Sequence, residues 1–246
     1  MIKKTFLPIV ALTLLASGAS TQAQGLLRIT EAMSNGDITD WFEITNLGNS
    51  AYDLTNHRMD DNSFLIANSI PLVGISSIGA GESVIFIETS NTLRTTYAND
   101  AGVVSAFKNN WGGLSGIQVG YYNGQTLGVS LGSAGDGVTL FSNIAANSGT
   151  ELPGPFGTSS NLIRVSFGAA TSGSSFYWSY DSAGASTSSA TGVITDANAP
   201  GTLITWNNGA TAMNATPGTI PEPSSVSLML LGFSGLLALR RLSRKS

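Results

Sequence analysis

Short apolar runs alternate with turn-forming residues from residue 24 to residue 206. The turns are rich in glycine and asparagine, as in Asn35-Gly36 and Gly79-Ala80-Gly81. These residues favour turns because they accept backbone conformations that most side chains disfavour. The predicted strands cover residues 26–33, 41–45, 51–54, 64–67, 83–88, 137–142 and 161–168. Many short strands with regular turn signals indicate a mainly β fold, and specifically a β-sandwich.

One segment departs from the strand pattern. Residues 91–110 contain few turn signals and predict a short helical insertion of one or two helices. Asn91 and either Asn99 or Asp100 are the candidate N-caps, because their side-chain oxygens can accept from free backbone N–H groups.

Two stretches late in the body are dense in small and polar residues. Residues 172–190 are rich in Ser, Gly and Ala, but Phe176-Tyr177-Trp178 predicts that the first part packs on the body. Residues 207–220 have the composition of a linker between the domain, 24–206, and the C-terminal end.

The N-terminus has the three parts of a secretory signal peptide, residues 1–23. Lys3 and Lys4 supply a basic start, and the apolar run 6–15 has the length of a signal core. Small residues follow and predict cleavage by signal peptidase after Ala23, with Ala19 as the alternative. The body is therefore expected outside the cytoplasm.

The C-terminus combines a short apolar segment with a basic end. Residues 226–239 carry no charge and would span about 21 Å as a helix, against about 30 Å for a bilayer core. Residues 225–239 are therefore predicted to form one marginal transmembrane helix. The basic tail 240–246 keeps the C-terminus cytoplasmic by the positive-inside rule. It contains Arg240, Arg241, Arg244 and Lys245.

This end resembles the PEP-CTERM sorting signal. The matching parts are Pro221, Glu222 and Pro223, the apolar segment with Gly232 and Gly235, and the terminal Arg cluster, within 221–246. The resemblance implies an inner-membrane intermediate in a Gram-negative bacterium, from which an exosortase removes the tail. The alternative is a permanent tail anchor. No LPxTG sequence precedes the apolar segment, so a sortase signal is excluded.

Composition narrows the function classes. Charged residues make up 11% of the chain, against about 25% in an average domain, and there is no cysteine. This excludes a disulfide scaffold, a cysteine nucleophile and a cysteine metal site. Residues 24–223 contain all 15 acidic residues and only five basic ones. Nucleic-acid binding is not expected from such an acidic body, because it depends on cations that neutralise phosphates.

The body resembles a lamin-tail domain. The shared features are a strand with Glu31, an Asp-Trp-x-Glu strand, an Asn-x-Gly turn and an Asp-Leu pair; the framework residues are Asp40, Trp41, Glu43, Asn46, Gly48, Asp53 and Leu54. The later matches are 79–87, 135–140 and 216–218. The resemblance implies an immunoglobulin-like β-sandwich. Leu47 and 56–58 depart from the family pattern.

Few residues are candidates for chemistry, and no catalytic residue is expected. His57 is the only histidine and is predicted at a surface turn. Glu31 and Glu43 could pair for glycoside hydrolysis, but the lamin-tail resemblance makes Glu43 framework. No cofactor or metal ligand is predicted outright. Calcium stays open because several oxygen-bearing side chains cluster in turns, although turns favour these residue types anyway. They are Asp37, Asp40, Asp60, Asp61, Asn35 and Asn62.

The sequence therefore predicts an exported, non-enzymatic protein of the cell surface or extracellular matrix. Its partners would be signal peptidase and exosortase during processing, and extracellular polysaccharide afterwards. The alternative is a carbohydrate- or calcium-dependent adhesion module, and the less favoured alternative is a surface hydrolase. Sugar binding would use aromatic side chains, because their faces stack on sugar rings. The candidates are Trp111, Trp178, Trp206, Tyr121 and Tyr122.

Overall fold

The computed structural model describes residues 26–141, 163–180, 204–207, 212–215 and 217. The predicted signal peptide with Ala23, and the entire C-terminal segment 221–246, lie outside these described residues. That segment includes Pro221, Glu222, Pro223, Arg240, Arg241, Arg244 and Lys245.

The described residues form thirteen strands and two helices, so this part of the chain is mainly β. In chain order they are β1 (Leu27–Met33), β2 (Trp41–Asn46), β3 (Tyr52–Asp53), β4 (Arg58–Asp60), β5 (Ile70–Pro71), β6 (Ser77–Ile78), β7 (Ser83–Thr89), α1 (Asn91–Thr96), α2 (Asp100–Asn110), β8 (Gln118–Asn123), β9 (Asp136–Phe141), β10 (Arg164–Phe167), β11 (Phe176–Tyr177), β12 (Ile204–Asn207) and β13 (Ala212–Ala215).

Two larger sheets contain most of these strands. The first has the order β11-β1-β2-β7-β8, and the second has the order β10-β9-β4-β5. The pairs β12-β13 and β3-β6 form two small sheets. Neighbouring strands are antiparallel except β7 and β8, which run parallel because the two helices connect them.

Side chains from both larger sheets contribute to one hydrophobic cluster. Phe42 and Phe86 come from the five-stranded sheet, and Val138 and Leu140 come from the four-stranded sheet. Trp178, directly after β11, is fully buried in the same cluster. This confirms that the aromatic triplet packs on the body.

The five-stranded sheet also buries its other face, because α2 packs there. Trp41 contacts Phe107 and Trp111 edge-on, with ring centroids 6.1 and 5.9 Å apart. Ile85 and Ile87 join the same second cluster. Consequently, every residue of β2 is buried, which explains why its sequence shows little hydrophobic–polar alternation.

The helical insertion is confirmed, with one of its two predicted caps displaced. Asn99 caps α2, and its side chain accepts from the Gly102 N–H at 2.9 Å. Ser90, rather than Asn91, caps α1 by accepting from the Leu93 N–H at 3.2 Å.

Two sequence expectations differ from the structure. The strand predicted at 64–67 is wrong, because Phe64 has a φ of 51° and the Leu65 N–H donates to the Asp60 carboxylate at 2.7 Å. The range 207–220, expected as a linker, contains β13, and Ala215 is buried in the α2 cluster. Pairing with β12 therefore makes this part folded.

Asn46, at the end of β2, joins three separate segments. Its side-chain oxygen accepts from the N–H groups of Leu26 and Gly48, at 2.9 and 3.0 Å. Its amide nitrogen lies 2.8 Å from the Ser50 carbonyl and 3.0 Å from the Gly79 carbonyl. This buried side chain uses both its donor and acceptor capacity, which explains the requirement for Asn in the Asn-x-Gly turn.

Replacement of Asn46 by alanine is expected to lower the free energy of unfolding by about 3 kcal/mol, because several buried backbone groups lose their partners. Urea denaturation would measure the change. The matched control is Asn109→Ala, since Asn109 is exposed on α2. Equal stabilities of the two variants would contradict the role assigned to Asn46.

Candidate functional site

Acidic side chains from both larger sheets meet at one end of the shared core. Asp40 precedes β2 and Glu88 lies in β7, and the two are backbone neighbours because the Glu88 N–H donates to the Asp40 carbonyl at 2.8 Å. From the second sheet come the end of β4 and the start of β9. We call the whole set the acid pocket: Asp40, Asp60, Asp61, Glu88, Asp136 and Tyr122.

Strand alternation places Asp40, Glu88 and Tyr122 on the inner face of the five-stranded sheet. Phe42 and Phe86 lie two residues away from Asp40 and Glu88 respectively, and both belong to the shared core. Tyr122 pairs in register with Glu88 across β7 and β8, and its ring lies 5.7 Å from Phe42. The pocket therefore lies at the edge of the hydrophobic core, and acidic side chains line it there.

The loop between β8 and β9 approaches the pocket with its backbone N–H groups. The Gly132 N–H donates to Asp136. The backbone of Ser130 lowers the pKa of Asp61, that of Leu131 lowers the pKa of Glu88, and that of Gly132 lowers the pKa of Asp136. The loop thus acts on carboxyl groups that come from three different places in the chain.

Asp136 accepts the most hydrogen bonds in the pocket, and one oxygen of Asp60 accepts two. Asp136 accepts from the Asn62 N–H at 3.1 Å and the Gly137 N–H at 2.7 Å, in addition to Gly132. One oxygen of Asp60 accepts from the Ser63 hydroxyl at 2.5 Å and from the Leu65 N–H.

Asp40 and Glu88 have much less hydrogen-bond support. Asp40 accepts one long bond, 3.4 Å, from the Gly36 N–H, and the backbone of Leu131 is the one group that lowers the pKa of Glu88. Burial raises the pKa of Asp40 from 3.8 to about 6, and the Asp136 charge adds to this. Burial raises the pKa of Glu88 from 4.5 to about 7, and the Asp40 charge adds to it. Their negative charges are therefore poorly stabilised.

Two buried oxygen atoms in the pocket have no hydrogen-bond partner: the Tyr122 hydroxyl and Oδ1 of Asp60. Both residues are fully buried. The pKa of Tyr122 lies well above its ordinary value because of burial, followed by the charges of Glu88, Asp40, Asp136 and Asp61. The phenol therefore stays neutral and lies among these carboxyl groups.

None of the carboxyl groups in the acid pocket forms an ion pair with a described residue. The ion pair that the described residues do contain joins Arg94 to Asp100 at 3.0 Å, in the helical insertion. In the same part of the chain, no three His, Asp or Glu side chains are grouped in a way that could hold a metal ion. The hydrogen-bonded loop amides occupy oxygens of Asp61 and Asp136, which is one physical reason for this.

The sequence identified part of this pocket. Asp40, Asp60 and Asp61 are among the calcium candidates and do meet, whereas Asp37 is exposed and Asn62 contributes its backbone N–H. Sequence reasoning missed Glu88, Asp136 and Tyr122. Glu88 and Asp136 lie at the ends of apolar strands, and acidic residues at strand ends are a signal that could have indicated them.

Glu31 and Glu43 are brought together as the sequence suggested. They are register partners across β1 and β2. Each is only 1% exposed. The Thr30 hydroxyl donates to Glu43 at 2.6 Å, and the Ser175 hydroxyl donates to Glu31. A substrate would have no access to this pair in the observed conformation.

The surface position predicted for His57 is wrong. Its side chain is 4% exposed, and its ring lies edge-on to Tyr52 with centroids 5.5 Å apart. Burial lowers its pKa. The ring nitrogens lie 3.3 Å from the Tyr52 hydroxyl and the Thr55 carbonyl, so its described contacts contain no serine–aspartate pair. The turn directs the ring inward, which residue type alone could not indicate.

Three of the predicted sugar-binding aromatics are also buried. Trp178 and Tyr122 are fully buried in the shared core, and Trp111 is 8% exposed against α2. These three rings pack within the protein and present no face to a sugar. Tyr121 is partly exposed.

The other residues that match the lamin-tail pattern differ in their exposure to solvent. Trp41 and Leu54 are buried, whereas Asp53 is exposed and accepts from the Thr55 N–H at 2.8 Å. Gly48 donates its N–H to Asn46.

The acidic, cysteine-free body, which is mainly β in its described residues, precedes an apolar segment and a basic end. The chain carries a PEP-CTERM protein-sorting motif, which matches residues 219–245. This confirms the predicted signal and implies export and processing by an exosortase. No curated protein and no solved structure matches the chain. Neither helix of the described residues has the length and apolarity needed to cross a membrane.

Acidification from about pH 8 to pH 5 is expected to raise the melting temperature. The folded-state pKa values of Asp40 and Glu88, about 6 and about 7, lie above their ordinary values of 3.8 and 4.5. The folded state therefore binds more protons than the unfolded chain, and this stabilisation, complete below about pH 4, is lost as pH rises through 6 and 7. Thermal unfolding across this range would measure it.

The control for this pH experiment is the double variant Asp40→Asn, Glu88→Gln. His57 acts in the opposite direction, because its lowered pKa makes acidification below its ordinary value of 6.5 destabilising. The variant keeps His57 and should show a smaller rise, or a fall, on acidification. The same pH response in both proteins would contradict the assignment to Asp40 and Glu88.

Proposed function

We propose that this chain is a non-enzymatic protein of the cell surface or extracellular matrix, in which a β-sandwich serves as a structural or binding module. The observation that carries the proposal is the sorting motif at 219–245, which directs proteins to the envelope. In this proposal, the signal peptide 1–23 directs export of the chain. Signal peptidase then removes the N-terminal end and exosortase removes the C-terminal end. The mature protein lies among extracellular polysaccharide.

We also propose that the body is an immunoglobulin-like β-sandwich similar to a lamin-tail domain. Support comes from the two larger sheets, whose side chains share one core cluster. The Asn-x-Gly turn supports it further, because Asn46 organises three segments there. Trp41 and Glu43 are buried on one strand, which suits framework positions.

The burial of the acidic pair on the five-stranded sheet favours this proposal over a surface hydrolase. A retaining or inverting glycosidase needs both carboxyl groups beside the bound sugar. Glu31 and Glu43 instead receive hydroxyl donors from within the protein. Of the adhesion alternatives, sugar binding is disfavoured by the buried aromatics, and calcium is favoured by the acid pocket.

Intact mass and cell fractionation, with and without the host exosortase, test the export part of the proposal. We expect a mature protein that begins near Gln24, ends near Pro221 and lies outside the inner membrane when the exosortase is present. Without the enzyme, the C-terminus should stay intact and membrane-bound. An intact C-terminus in the inner membrane of both strains would contradict processing and indicate a permanent anchor.

Replacement of Glu43 by glutamine tests whether this residue has a structural role or a catalytic one. We expect the free energy of unfolding to fall by about 1–3 kcal/mol, since a buried carboxylate loses its charge-assisted hydrogen bond from Thr30. Urea denaturation would measure this. A variant with unchanged stability that lost a polysaccharide-hydrolysing activity shown by the parent would support the hydrolase instead.

A further inference from the structure

The acid pocket has a charge imbalance that its own residues do not resolve. Its five carboxyl groups take part in no ion pair within the described residues. Such clusters are stable in proteins when they hold protons or a bound cation. Protons suffice at low pH, but at neutral pH some of the carboxyl groups must ionise beside one another.

The hydrogen bonds show which oxygens are available to a ligand. Asp136 accepts from three backbone N–H groups, and Asp61 accepts from two. Asp40 accepts only the 3.4 Å bond from Gly36, and the backbone of Leu131 is the group that lowers the pKa of Glu88. Unused lone pairs therefore lie on Asp40 and Glu88, which the backbone holds side by side, and on Oδ1 of Asp60.

A second and independent observation is the Tyr122 hydroxyl. It is fully buried, has no hydrogen-bond partner, and lies on the same sheet face as Glu88, its register neighbour. A buried hydroxyl without a partner normally costs about 1–3 kcal/mol. A ligand that reaches Asp40 and Glu88 would also give this hydroxyl an interaction.

Gly124 lies directly against the Glu88 carboxyl group. A Cβ atom built at Gly124 would collide with Oε1 of Glu88, so the glycine leaves the space that this carboxyl group fills.

We propose that the acid pocket binds one Ca²⁺ ion, with Asp40 and Glu88 as its carboxylate ligands and the Tyr122 hydroxyl and water as neutral oxygen partners. Asp60, Asp61 and Asp136 add negative charge around the ion, while Asp136 and Oδ2 of Asp60 keep their hydrogen bonds within the protein. Only two carboxylates are proposed as ligands, because the described residues contain no group of three that could hold a metal ion.

Calcium suits this pocket because it accepts mixed oxygen ligands in flexible geometry, whereas Mg²⁺ requires a near-ideal octahedron. The proposal deepens the calcium-dependent alternative of the proposed function and relies on export only for the supply of calcium. Extracellular calcium modules have dissociation constants of about 0.1–1 mM. Binding by the purified protein is therefore testable whether or not the processing proposal holds.

The test uses the full chain in detergent, freed of metal with EDTA and then titrated with Ca²⁺ or Mg²⁺ at about pH 7.5. Calorimetry should give one Ca²⁺ site of about 0.1–1 mM, with Mg²⁺ at least about tenfold weaker. At a hundredfold excess of Ca²⁺ over the dissociation constant, the melting temperature should rise by about 5–10 °C.

Variants locate the site. Asp40→Asn and Glu88→Gln relieve charge repulsion, so they should fold, and each should weaken Ca²⁺ binding at least about tenfold. Tyr122→Phe keeps the ring in the core and should weaken binding severalfold. Asp53→Asn is the matched control, because Asp53 is exposed and lies outside the pocket; its calcium response should equal that of the parent.

Two results would overturn the proposal. If Ca²⁺ leaves the melting temperature unchanged at pH 7.5 while acidification still raises it, the pocket binds protons only. If Ca²⁺ stabilises the parent and the Asp40→Asn, Glu88→Gln double variant equally, the ion binds elsewhere. Neither result bears on exosortase processing, which the mass and fractionation experiment decides separately.

Discussion

The structure depends on one constraint, which is that the central strands β2 and β7 bury side chains on both sheet faces. Phe42 and Phe86 pack into the core shared with the second sheet, and Trp41 and Ile85 pack against the helical side. The helices must therefore cover the outer face, and the parallel pairing of β7 with β8 follows from the crossover that carries them.

This arrangement leaves the polar groups at the ends of the core to be satisfied locally. At one end, Asn46 does so by joining Leu26, its own turn and the segment before β7 through five hydrogen bonds. At the other end, the loop between β8 and β9 approaches carboxyl groups from both sheets with its backbone, and its Gly132 N–H donates to Asp136. The Asn46 side chain carries no charge and uses both its donors and its acceptor. The carboxyl groups at the other end leave excess negative charge on Asp40 and Glu88.

The location of the excess charge fits the destination of the protein. A carboxylate cluster without basic partners is costly at neutral pH unless a proton or cation joins it, because like charges repel more strongly where water is excluded. A protein that carries an exosortase sorting motif is exported from the cytoplasm. Sorting and ion binding are nevertheless separate properties, since they reside in different parts of the chain.

The sequence by itself determined the mainly β class, the helical insertion and the sorting motif, because strand alternation, helix signals and a sorting signal depend on neighbouring residues. It left the cap of α2 open between Asn99 and Asp100, and the structure shows Asn99. Only the tertiary structure decided that His57 is buried and that Asp40, Glu88 and Asp136 meet. These carboxyl groups are far apart in sequence: strand pairing places Asp40 beside Glu88, and the meeting of the two larger sheets brings Asp136 to them. No pattern of neighbouring residues in the sequence indicates that these carboxyl groups lie close together.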